Sequence, residues 1–198
     1  MKILGVCASP RKGKTSFQAL EHCLQAASQV PGVQTELIEL AGTEIHGCVV
    51  CGACIKEVTC SQDDDFVPLL PKLSDPQLAG LIIATPVYFG GMTAQAKAFL
   101  DRCVPLRRNG FMLRNKVGGV LAVGGARNGG QELTIQMVHA AMLVQDMIIV
   151  SDGRPTSHFG GTCFSENKPD ISGDEYGLTT AANLGRRVAE VAAKLHGA

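Results

Sequence analysis

Four cysteines fall within thirteen residues, Cys48, Cys51, Cys54 and Cys60 in GCVVCGACIKEVTC. A C-x2-C-x2-C-x5-C run brings four thiols within reach of one small centre. Iron–sulfur clusters take four thiolates, often from short C-x2-C-x2-C runs, and a cubane that draws every ligand locally needs its fourth cysteine a few residues further on. Cys60 stands there. It is followed by Ser61 rather than by the Pro of two-cluster ferredoxins, and no second run exists, so one [4Fe-4S] cluster per chain is expected. Structural zinc also accepts four cysteines, usually from two C-x2-C pairs set further apart. A disulfide framework fits least. The N-terminus, MKILGVCASPRKGK, lacks the long apolar region and small-residue cleavage site of a signal peptide, so a cytoplasmic setting that keeps thiols reduced is expected.

Three further stretches carry residues suited to a ligand. In SPRKGKTS, the hydroxyls of Ser9, Thr15 and Ser16 and the cations Arg11, Lys12 and Lys14 precede a helix, where free N–H groups favour an anion such as phosphate. Gly13-Lys14-Thr15 ends like a nucleotide P-loop, but that motif needs Gly where Ala8 stands, and Thr85-Pro86 closes the third strand in place of an acid. A basic, solvated turn is the plainer alternative. The second stretch, Pro86, Val87, Tyr88, Phe89, Gly90 and Gly91, offers backbone donors and aromatic surface to a flat ligand, although aromatics there also suit a core. The third, GGARNGGQE, holds Gly124, Gly125, Ala126, Arg127 and Gly129 and lets backbone approach a ring edge. A phosphate pocket beside a planar-ring pocket suits flavin mononucleotide (FMN) better than a nucleoside triphosphate.

The elements that must position these residues are read from periodicity. Apolar runs predict strands over 2–8, 34–40, 78–84, 116–123 and 147–150. Helical spacing predicts helices over 15–30, 63–74, 93–104, 130–143 and 175–195, with Thr15 and Asp174 as N-caps and with Pro68 and Pro71 weakening the second. Five strands alternating with five helices imply an α/β, doubly wound parallel sheet covered on both faces. The 41–62 cysteine segment is then an insertion after the second strand, within one domain spanning 1–198. Ligands in such sheets sit beyond the carboxyl ends of the strands, so cluster and ligand are expected to be neighbours. His22, His139 and His196 read as surface or satisfied interior residues, and His46 as a neighbour of the cluster. Cys7, Cys23, Cys103 and Cys163 read as small buried hydrophobes, Asp63 to Asp65 as a helix-start charge, and 151–173 as a lid or subunit contact. A formal net charge of zero gives no basic stripe for nucleic acid, and no apolar run approaches the roughly 18 residues of a membrane span.

With these motifs in hand the chain resembles the iron–sulfur flavoproteins, a branch of the flavodoxin-like NADPH-dependent FMN reductase superfamily. The likeness rests on ASPRKGKTS, the cysteine run, ATPVYFGGMTAQAKAFLDR, GGARNGGQE and DEYGLTTAANLGRRV. The cysteine run is its specific part, and Lys14 replaces an Asn common among the relatives. The resemblance implies FMN phosphate on Ser9, Arg11, Lys14, Thr15 and Ser16, with the isoalloxazine against 86–91 and the backbone of 124–129. It also implies a homodimer or homotetramer in which a cluster meets a flavin across the subunit interface. Electrons would come from ferredoxin or a similar donor and pass to a small acceptor, with no catalytic acid or base. Two other functions stay open: an NAD(P)H-dependent FMN or quinone reductase, with Arg127 or Arg107 on the nicotinamide phosphate, and a non-catalytic redox sensor.

Overall fold

Apolar alternation in the first strand sets the architecture. In β1 (Lys2–Cys7) Ile3 and Cys7 face one way and Leu4 and Val6 the other, and all four are fully buried, so helices must cover both faces. The computed structural model describes residues 1–197. On one face α1 (Thr15–Ser28) and α6 (Glu175–His196) bury Leu20, Leu24, Leu184 and Val188. On the other, α3 (Ala94–Arg102), α4 (Val104–Arg108) and α5 (Gln131–Val144) bury Phe99, Leu106, Ile135 and Val138. Between the layers run β2 (Gln34–Glu39), β1, β3 (Leu78–Pro86), β4 (Val117–Gly124) and β5 (Ile148–Ile149), in that order and all parallel. Among the described residues no helix is long and apolar enough to cross a membrane.

The principal strands and long helices fall within two residues of where periodicity places them. Besides the additional short helix α4, three features depart. The fifth strand position is filled in two pieces: β5 pairs with Val117 and Gly118, and β6 (Gly161–Phe164) pairs with 121–124 of the same β4. β6 lies inside 151–173, the segment read as a lid or contact. Four residues with a glycine among them give no alternation to detect, yet Gly160 lies so close to β4 that a Cβ there would sit 2.2 Å from the Val120 carbonyl oxygen.

The helix expected over 63–74 shrinks to a 3-10 turn (Val67–Leu69) and the single turn α2 (Leu70–Leu73). Pro68 and Pro71 withhold backbone donors, so a longer helix cannot close its ladder. Thr15 is also no cap. Lys14 holds the N-cap position without a side-chain hydrogen bond, and Thr15 is the first helical residue. Asp174 does cap α6, accepting from Gly177 N at 3.0 Å.

Candidate functional site

The three ligand loops meet at the carboxyl ends of β1, β3 and β4. Thr93 binds the first two together: its Oγ1 donates to the Ala8 carbonyl at 2.8 Å and accepts from Ala96 N at 3.0 Å as the cap of α3. Val87 N donates to the Val123 carbonyl at 2.9 Å, which joins the second loop to the third.

The first loop presents three buried hydroxyl side chains, Ser9, Thr15 and Ser16, at the opening of α1. Backbone N–H groups in this first turn have no helical carbonyl to bind, so the loop fits an anion. Arg11 N donates to Ser9 Oγ at 3.2 Å, and Arg11 Nη2 reaches Thr15 Oγ1 at 3.5 Å. Lys14 is exposed beside them. Gly13 N donates to Glu39 Oε1 at 2.6 Å, a contact between the loop and the end of β2 that the sequence did not suggest.

In the second loop Tyr88 and Gly91 exchange backbone hydrogen bonds of 2.9 and 3.0 Å around a two-residue turn at Phe89 and Gly90. Both turn residues have positive φ, 48° and 77°, as a tight hairpin turn of this hand requires. The turn carries Phe89 fully into solvent and leaves Tyr88 half exposed, so neither aromatic is core. The third loop is braced by buried Gln131, whose Nε2 donates to the Ala126 carbonyl at 2.6 Å and whose Oε1 accepts from Gly129 N at 2.9 Å. A Cβ on Gly124 would lie 2.5 Å from that Nε2, so the brace requires glycine there. Gly125 and Ala126 complete the turn. The Arg127 guanidinium is engaged: it is paired with Asp174, donates to the Thr162 carbonyl at 3.1 Å and stacks 4.1 Å from the Phe164 ring. It is thus not a free hand for a nicotinamide phosphate.

The cysteine run lies on the face of α3 and α4. Cys48, Cys51, Cys54 and Cys60 line one recess of about 20 Å³ together with Arg102 and Arg108. Among the described residues no three His, Cys, Asp or Glu groups converge closely enough for a single ion. Hydrogen bonds already reach three of the sulfurs: Val50 N lies 3.5 Å from Cys48 Sγ, Ser61 Oγ 3.0 Å from Cys51 Sγ, and Arg108 Nη1 3.2 Å from Cys54 Sγ. The Ser61 hydrogen bond, with backbone N–H groups after it, holds the Cys51 thiol below its ordinary range. Burial does the opposite to Cys7, Cys23 and Cys103, pushed up to about 12, and also raises Cys163. Those four are inert core thiols, as expected.

What holds this segment was not legible from spacing. Arg102, only 1 % exposed, forks onto Asp64 at 2.6 and 2.9 Å and onto the His46 carbonyl at 3.0 Å, over the Phe66 ring. Asp64 therefore fixes the cysteine segment rather than starting a helix. Asn109 Nδ2 adds bonds to the carbonyls of Cys54 and Glu57, at 3.1 and 3.0 Å. The His46 ring pairs with Glu44 at 3.1 Å and is no part of the recess. One signal was available: Ala96, Phe99 and Arg102 share the buried face of α3, and an arginine on such a face needs a partner.

The recess and the ring loops are not immediate neighbours. α3 starts beside the second loop and ends at Arg102, roughly 12 Å further on at about 1.5 Å per residue. A larger cavity, about 780 Å³ between α1 and β2, contains none of these residues.

An open parallel sheet with this strand order and ligand loops at its carboxyl edge defines a flavodoxin-like protein. A solved flavodoxin-fold, WrbA-like protein from Agrobacterium tumefaciens superposes with a TM-score of 0.68 at 21 % identity, covering 98 % of each chain. The family model described as NADPH-dependent FMN reductase matches residues 1–161. An iron–sulfur flavoprotein of Methanocaldococcus jannaschii is 45 % identical over 191 residues, 96 % of this chain and 97 % of the relative. Another, from Methanosarcina thermophila, is 41 % identical over 184 residues, 93 % of each. The chain belongs to the NADPH-dependent FMN reductase family and, within it, to the iron–sulfur flavoproteins.

Proposed function

We propose that this protein is a flavin-dependent oxidoreductase that carries FMN and one [4Fe-4S] cluster and moves electrons between them. The observation that carries the reading is the recess: four thiols of one short run line it, and three of the sulfurs already take part in hydrogen bonds. Structural zinc usually joins two C-x2-C pairs across a longer stretch. Three cysteines at equal short spacing with a fourth a few residues further on instead suit a multi-atom cluster held by Cys48, Cys51, Cys54 and Cys60. Such a cluster exchanges single electrons, and FMN holds one or two, so the pair couples a one-electron donor to a two-electron acceptor.

The chain's own residues do the positioning. Ser9, Arg11, Lys14, Thr15 and Ser16 would hold the phosphate with hydroxyls, cations and the N–H groups that open α1. Pro86, Val87, Tyr88, Phe89, Gly90 and Gly91 would flank the ring system, and the backbone of Gly124, Gly125, Ala126, Arg127 and Gly129 would meet its polar edge. Ferredoxin or a similar small donor fits the one-electron side, and the exposed second loop leaves room for a small organic or oxygen-derived acceptor. A homodimer or homotetramer fits the separation along α3 and the apolar side chains Leu133, Met137, Val144 and Phe89 that one copy leaves exposed.

Anaerobic purification followed by metal, sulfide and flavin analysis tests this reading. Expected are about four iron and four sulfide per chain, as one cubane demands, together with FMN. Stoichiometric zinc without sulfide defeats it, and so does a preparation that binds ATP with magnesium but no flavin.

A further inference from the structure

Two arginines face the cysteine recess, and neither is explained by holding the fold alone. Arg102 is the largest fully buried side chain of the molecule. Both of its Nη groups are used, by Asp64 and the His46 carbonyl, but its Nε is buried without any partner. Leaving a charged donor unsatisfied away from water is costly, so a buried N–H of this kind calls for an acceptor. The residue lines the recess, and the Cys60 side chain lies close enough to help hold its guanidinium charged. Arg108 lines the same recess from α4, with Nη1 3.2 Å from Cys54 Sγ. No carboxylate other than Asp64 binds either guanidinium among the described residues, so the recess has an excess of one positive charge on its wall.

We infer that Arg102 and Arg108 set the reduction potential of the group bound by the four cysteines. The inference rests on the cluster reading above. When the oxidised cluster takes up one electron from an external reductant, the site gains one negative charge and no bond forms or breaks. A fixed cation and N–H donors to sulfur stabilise the more negative state, so both arginines raise the potential. Arg108 acts through the Cys54 sulfur. Arg102 acts through its buried charge and its unspent Nε donor, beyond its part in tying the segment down.

The test uses the full-length protein with its cluster reconstituted anaerobically, comparing wild type with Arg108→Gln and Arg102→Lys. Iron and sulfide are counted first, and the cluster is then titrated by electron paramagnetic resonance against solution potential. Arg108→Gln removes the cation, and about a tenfold rise in the ratio of oxidised to reduced cluster at fixed potential is expected, equal to about 59 mV downward for a one-electron couple. Arg102→Lys keeps a cation opposite Asp64 but loses the Nε donor and part of the fork onto Asp64 and the His46 carbonyl, so in fully loaded protein a smaller shift in the same direction is expected. If Arg108→Gln does not retain its cluster, Arg108→Lys must carry a full cluster with a potential near wild type. Unchanged potentials in fully loaded variants overturn the inference, as does an Arg108→Lys protein no better than Arg108→Gln. Wild-type protein that takes up zinc without sulfide would instead sink the cluster reading, and the two failures are distinguishable by the metal count alone.

Discussion

The cysteine segment and the loops proposed to hold the flavin are built on opposite plans. Each flavin loop is a short link from a buried parallel strand to a helix, and its working groups are mostly backbone N–H and small hydroxyls fixed by the sheet. The cysteine segment has no strand and only one 3-10 turn, Ala53–Ile55, between the end of β2 and Val67. Its working groups are side chains, and it is pinned from outside by Arg102, Arg108 and Asn109. A site made of strand ends comes preformed with the fold. One made of thiols on an irregular segment depends on a few polar anchors and on its ligand.

That contrast is sharpest under paired substitutions. Cys51→Ala removes one of the four thiols, so complete loss of iron is expected while FMN stays bound, because the phosphate and ring loops hang on the sheet. Arg11→Ala combined with Thr15→Ala should do the reverse: the cluster remains, and FMN binding weakens by several kcal/mol, each charge-assisted contact contributing about 1.5 to 3 kcal/mol. Riboflavin, lacking the phosphate, should bind wild type and double variant alike. Iron analysis and flavin fluorescence titration read both arms. Flavin lost in proportion to iron would erase the distinction between the two regions.

A smaller effect separates the anchors from the ligands. The Asp64 and Arg102 side chains are 4 % and 1 % exposed, and breaking a buried pair from one side costs about 3 to 5 kcal/mol because the other charge is left bare. Asp64→Ala should therefore lower the unfolding free energy from urea titration by that much and loosen the cysteine segment, seen as faster alkylation of Cys48, Cys51 and Cys54. Burial alone would raise the Asp64 pKa, but the Arg102 fork and the N–H groups of His46 and Phe66 prevail and hold it below its ordinary 3.8. A depressed carboxylate pKa contributes stability above the unfolded value. That contribution should fade as pH falls below about 3.8 and should be missing altogether in Asp64→Ala. Equal acid sensitivity of the two proteins would show that the anchor is not electrostatic.

The same contrast explains what the sequence could tell. Strand ends and helix starts follow from local patterns, so the ligand loops could be placed within the sheet from apolar runs and glycines. That Cys48, Cys51, Cys54 and Cys60 line one recess was legible because such short spacing keeps the thiols close. Arg102 and Asp64 stand 38 residues apart, and no local pattern links them. Pro68 and Pro71 were visible, but Asp63 to Asp65 suggested a helix start because the partner of Asp64 was not. β6 was invisible for a different reason: it is a strand because β4 offers it a free edge and Gly160 allows the approach, not because its own residues alternate. The separation of recess and ring loops along α3 likewise needed the helix to be seen.

The smallest effect belongs to the residue that makes the flavin loops one unit. Thr93 caps α3 through Ala96 N and at the same time donates to the Ala8 carbonyl, so a single hydroxyl fixes the second loop against the first. Thr93→Ala loses the cap, at about 1 kcal/mol, and leaves a buried carbonyl without its donor. Thr93→Ser keeps the hydroxyl and should sit near wild type. If the two loops work as a preformed pair, Thr93→Ala should weaken FMN more than it weakens riboflavin, since the phosphate loop is the one released, while iron content stays at the wild-type level. Denaturant midpoints, flavin titrations and metal analysis of the two variants test this. A Thr93→Ala protein that lost iron but kept its flavin affinity would reverse the assignment of α3's first turn from the flavin site to the cysteine segment, and with it the claim that the two regions are anchored separately.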